Sequence, residues 1–171
     1  MNAKLIKRIL FAGLALVGLL AGHTAFAQSQ SATVNVSAAV PKACRFYTSG
    51  TPTLTVQHAA TPGFIDPAET ALSATGSVNL TYRCQNTVLP LFDIDASGTY
   101  TDPKTRTVAL TGPATINADI TVTGGGAGTG LGAGGGNDKT AVVAADIPPA
   151  NYATAVPGTY TKTVTIGITA Q

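Results

Sequence analysis

The apolar residues of this chain recur with period two over most of its length, the spacing at which side chains return to one face of a β-strand. Ala32, Val34, Val36, Ala38 and Val40 alternate with Thr33, Asn35 and Ser37, and Leu54 and Val56 alternate with Thr53, Thr55 and Gln57. Further on, Val78, Leu80, Tyr82 and Cys84 fall on one face and Asn79, Thr81 and Arg83 on the other, a register that turns Cys84 inward. The same logic predicts strands over residues 88–94, 105–110 and 116–122. A last one, over residues 159–170, sends Val164, Ile166 and Ile168 one way and Thr163, Thr165 and Thr169 the other. Thr is the recurrent partner in these alternations, and a β-branched residue with a hydroxyl suits a half-exposed strand.

Turn chemistry separates the runs, at Ser49-Gly50, Pro62-Gly63, Ser97-Gly98, Asp102-Pro103, Gly112-Pro113 and Pro157-Gly158. Residues 66–72 alone read as helical, for two turns at most. About seven short strands with turns between them predict an all-β, antiparallel β-sandwich. An up-and-down barrel fits the same pattern.

Composition narrows the picture. At 171 residues one domain is expected, and a charged fraction of 11%, against roughly 25% in typical soluble domains, excludes a coiled coil or a charged disordered tail. The first residues have the layout of a secretory leader: Lys4, Lys7 and Arg8, an apolar run over residues 9–20, then Ala25-Phe26-Ala27. That run is shorter than the about 20 residues a membrane span needs, so residues 1–27 are expected to be cleaved between Ala27 and Gln28. Loss of those three cations takes the formal charge from +2 to −1. A near-neutral surface without clustered Lys and Arg predicts no nucleic-acid partner and no specific membrane binding.

Export gives the two cysteines their meaning, because thiols oxidise outside the cytosol. Two are too few for a structural zinc site, and a Cys44–Cys84 disulfide is expected. Closing a loop of this length contributes roughly 4 kcal/mol in the chain-entropy model. Other candidate chemistry is sparse. His58 has no Cys, Asp or Glu beside it in sequence and reads as a loop or strand-end residue, and no Ser sits in a nucleophile-elbow setting. Asp93 and Asp95 alternate along a strand and read as its solvated face, although paired carboxylates can also act as acid and base or hold calcium. The glycine-dense run over residues 124–136 contains one G-x-G-x-x-G at Gly130, Gly132 and Gly135. Without a helix opening after it, that run reads as a flexible loop, not a dinucleotide site. No cofactor, metal or catalytic residue is therefore expected, and no enzyme.

Both ends of the processed chain are alternating and nearly uncharged, unusual for strands that would lie at a sheet edge. Three stretches carry a resemblance: residues 31–39 leading into Cys44; Gly76-Ser77-Val78-Asn79-Leu80-Thr81-Tyr82-Arg83-Cys84; and Pro157-Gly158-Thr159-Tyr160-Thr161-Lys162-Thr163-Val164-Thr165-Ile166. Together they resemble the spore coat protein U type of secreted pilus subunit, the archaic chaperone-usher pilins. The terminal G-T-Y-x-x-T-V-T is the most specific part.

The resemblance implies an immunoglobulin-like sandwich over residues 41–171 that lacks its last strand. Residues 28–40 would be the donor strand, with Ala32, Val34, Val36, Ala38 and Val40 entering a neighbour's groove, and Val164, Ile166 and Ile168 would lie on the strand bordering the acceptor groove. Implied partners are a periplasmic chaperone, an outer-membrane usher and neighbouring subunits. The implied localisation is the periplasm in transit and then a cell-surface fimbrium serving adhesion and biofilm formation. From the residues alone, the alternative for residues 32–40 is an ordinary first strand packed on their own domain. A tip adhesin or binding module and a self-contained extracellular coat protein remain the competing functions.

Overall fold

The computed structural model describes residues 35–133 and 135–171. The expected cleavage site at Ala27 and Gln28, and Ala32 and Val34 of the expected donor strand, lie outside the described residues. The chain divides at Val40. Residues 35–39, the described part of the first unit, are exposed and carry no regular structure.

The second unit, Val40–Gln171, is mostly β. Its strands are β1 (Cys44–Phe46), β2 (Ala74–Cys84), β3 (Pro90–Ile94), β4 (Lys104–Thr111), β5 (Thr115–Thr123), β6 (Lys139–Ile147) and β7 (Ile166–Ala170), with one helical turn, α1 (Pro149–Tyr152). Five of them form a curled, open antiparallel sheet in the order β1-β2-β6-β5-β4, and β3 and β7 form a separate two-stranded sheet. The arrangement is sandwich-like in general.

The alternation explains the core. On β2 the inward series Ala74, Val78, Leu80, Tyr82 and Cys84 is buried or half-buried, while Thr75, Ser77 and Asn79 are exposed. Across the ladder Ala141, Val143, Ala145 and Ile147 of β6 face the same way, followed by Ile116, Ala118, Ile120 and Val122 of β5. Phe92 of β3 closes one end of this layer, edge-on to Tyr82 at 5.9 Å between ring centroids. Cys44 and Cys84 are directly opposite in the β1–β2 register and are joined as a disulfide.

Several expectations change. The helix expected over residues 66–72 is a pair of side-chain-stabilised turns: Asp66 Oδ1 accepts the Ala68 amide at 2.9 Å and Glu69 Oε1 accepts the Ala71 amide at 2.8 Å. Such bonds compete with helical ones. Asp93 is not on a solvated face but 1% exposed. Its carboxylate accepts from the Ser97 hydroxyl and from the Gly98 and Ile94 amides, and so organises the turn after β3. Asp95 has already left the strand, at φ 51°. The start of the glycine run, residues 124–130, is a packed loop, with amides bonded back onto the end of β2 and the connection after it: Gly128 N–H donates to Val88 at 2.8 Å and Gly130 N–H to Cys84 at 3.0 Å. A Cβ at Gly128 would collide with the Cys84 carbonyl, which is why glycine is needed there.

Candidate functional site

The two sheets are unequal, and the site follows from that inequality. At about 4.8 Å per strand, two strands cover less than half the width of five, so part of the large sheet's apolar inner face has no opposing layer. The uncovered part is a trough of about 1090 Å³, at the upper limit of the roughly 300–1,000 Å³ usual for ligand pockets. Its floor is Val78 and Leu80 of β2, Val143 and Ala145 of β6, and Ile116 and Ile120 of β5.

One wall is residues 51–56, with Leu54 and Val56 inward; the other is the approach to β7, with Val164 and Ile166. Of the expected groove-strand residues, Val164 and Ile166 line the trough, whereas Ile168 is half-buried against the core but not on the lining. Only the last five residues of the strand expected over 159–170 pair as a strand, since Thr161 instead bridges to Thr111 at the end of β4.

Both walls present main chain without a backbone partner. Among the described residues, 49–56 make no backbone hydrogen bond with another backbone group, nor do 162–164, and β7 has one ladder neighbour, β3. Unpaired strand edges beside apolar surface are a template for strand addition. Lys162 is the single charged side chain on the described lining. The trough therefore suits an extended, alternating, uncharged segment whose main chain can bond to the walls and whose apolar side chains can reach the floor.

One end of the trough is held by a polar network that sequence reading missed. Tyr152 of α1 lines the trough, yet its hydroxyl is buried among the Glu69 and Leu72 carbonyls, each at 2.6 Å, and His58 Nε2 at 3.0 Å. Because the Asp66 amide donates to His58 Nδ1 at 3.1 Å, the imidazole proton belongs on Nε2, and Tyr152 oxygen accepts it while donating its own proton to a carbonyl. Burial, then the charges of Glu69 and Asp66, push the Tyr152 hydroxyl above its usual range, so it remains a donor. His58 is thus 4% exposed, a core brace tying the 57–72 segment to α1.

Elsewhere, His58, Asp93 and Asp95 are not brought together, and among the described residues no three His, Cys, Asp or Glu side chains are grouped to hold a metal. Gly130, Gly132 and Gly135 end in a 3₁₀ turn at Gly135–Asn137 followed directly by β6, so no helix start faces them. Of the expected donor residues that are described, Val36 and Val40 expose 89% and 77% of their surface, and residues 35–40 form no strand. The sequence matches no family model, and no curated protein matches it.

Proposed function

We propose that this protein is an exported structural subunit of a chaperone-usher-type pilus, an immunoglobulin-like sandwich lacking its last strand that polymerises by accepting a strand from the next subunit. The observation that carries this reading is the apolar trough between two unpaired main-chain edges. In support, residues 28–40 contain no charged residue and offer Ala32, Val34, Val36, Ala38 and Val40 at alternate positions. Each Val contributes roughly 1.5–3 kcal/mol on full burial. Head-to-tail donation is a heterologous contact that does not close, so it propagates as a fibre. A periplasmic chaperone would fill the trough first, an usher would export the fibre, and surface adhesion and biofilm formation would follow from the fibre outside the cell.

Deletion of residues 29–40 tests it. The processed chain is expected to form fibres, and the truncated chain to bind its chaperone yet stay unpolymerised. A synthetic peptide of residues 28–41 should raise the truncated chain's melting temperature. Normal polymerisation of the truncated chain would overturn the donor assignment. A folded monomer needing no helper would favour a coat protein, and specific retention on a glycan column an adhesin.

A further inference from the structure

The outer face of the five-stranded sheet carries two like-charged cross-strand pairs at opposite ends. Asp146 of β6 stands opposite Asp119 of β5, and Arg45 of β1 stands opposite Arg83 of β2. Like charges directly opposite one another weaken a ladder, so the stability of this sheet does not account for either pair. Asp119 accepts a hydrogen bond from the Thr107 hydroxyl, and Arg83 is paired with Asp138 and lies 4.2 Å above the Tyr47 ring. Among the described residues, the side chains of Asp146 and Arg45 have no hydrogen-bonded or ionic partner.

Between the two ends the face is small and uncharged: Ser77, Asn79 and Thr81 on β2, Val142 and Ala144 on β6, Thr121 on β5. The Asp146 row meets β2 at Thr75, and the eight positions from there to Arg83 span about 27 Å. The face is therefore a line of small residues with an anionic end and a cationic end.

We propose that this face pairs with the same face of a second copy of the chain, across a two-fold axis near Asn79 and Val142. That symmetry sets Asp119 and Asp146 of each copy against Arg45 and Arg83 of the other, and so gives Arg45 and Asp146, which have no opposite charge within the fold, one across the contact, twice over, an isologous contact. Because the sheet is curled, the contact runs along the central strands and falls in the small, transient class of interfaces. It is made by the face opposite the trough, so both can be occupied at once. It stands on a different observation from the pilus reading and does not require it.

Sedimentation velocity of the processed chain tests the pairing. Association is expected to weaken at least about tenfold between about 0.01 M and about 1 M salt, as the screening length falls from about 30 to about 3 Å. Asp119→Lys with Asp146→Lys, and separately Arg45→Glu with Arg83→Glu, should each abolish it. Mixing these two variants should restore a one-to-one pair, because one then has cations at both ends and the other anions at both. Arg45→Glu alone, at a side chain without an ionic partner in the fold, serves if loss of Arg83 disturbs β2. Folded variants that associate like the parent, or a mixture that stays apart, would overturn the proposal. Assembly through the apolar trough persists at high salt and in every variant, so failure of either reading is seen separately.

Discussion

The two halves of the inner face have similar side chains and opposite fates. Toward the disulfide, Tyr82, Cys84, Phe92 and Ile94 are completely buried, under a loop that bonds back onto β2 and a hairpin that wraps Asp93. Toward the trough, Val78 and Leu80, on the same strand and in the same register, are only partly buried because β3 and β7 do not extend over them. The difference lies in what stands opposite. Alternation in a sequence sets which side chains point inward, but the number of strands in the facing layer decides whether inward means buried.

Substitutions on the two sides should separate accordingly. The largest losses belong to the closed half: removing the disulfide with Cys44→Ala and Cys84→Ala, or truncating Phe92→Ala, should each cost about 4 kcal/mol in denaturant unfolding. Tyr152→Phe, at the boundary between the halves, leaves His58 Nε2 and two carbonyls without their hydroxyl, and should lower the melting temperature by about 5 °C. In the open half, Leu80→Ala should cost less, about 2 kcal/mol in the free subunit, since part of the side chain is already in water. The same change should cost clearly more once a strand peptide fills the trough; an equal cost in both states would mean that the peptide does not reach the floor.

The smallest effect is electrostatic. The Ser97 hydroxyl, the Gly98 and Ile94 amides and the Lys104 charge hold the Asp93 carboxylate below its ordinary range, against the opposing effect of burial. A depressed folded value means that the stabilisation is present at neutral pH and is lost as the pH falls through the folded value. Acid unfolding of the parent should therefore be steeper than that of Asp93→Asn, which has no such proton to take up.

Much of this was legible in the alternation. The inward register of β2 and β5, the burial of Cys84 and its bond to Cys44 follow from period two and from the two-cysteine count. Strand β6 did not: Lys139–Ile147 carries Val142 and Ala144 on its outer face beside Val143 and Ala145 on its inner one, so a central strand hides as an unbroken apolar run. Asp93 misled for the converse reason, since a carboxylate can be buried when a turn supplies its donors, and alternation carries no record of where those donors lie. His58 and Tyr152 are 94 positions apart, beyond the reach of any local pattern. Leu54 and Val56 alternate with polar neighbours in the sequence, yet their segment forms no ladder, and that absence of a neighbour is what makes them a wall.

The pairing of β3 with β7 also imposes an order in time. During synthesis β3 emerges with Phe92 and Ile94 ready for burial, but its ladder partner begins only at Ile166. At about 5–20 residues per second the intervening stretch takes about 4–15 s to make. For that interval the small layer does not exist, and the strands of the large sheet made within it, β4 to β6, have no facing layer to cover their inner side. A companion that shields apolar surface is thus most needed while the chain is still arriving, before the trough is the only part left open.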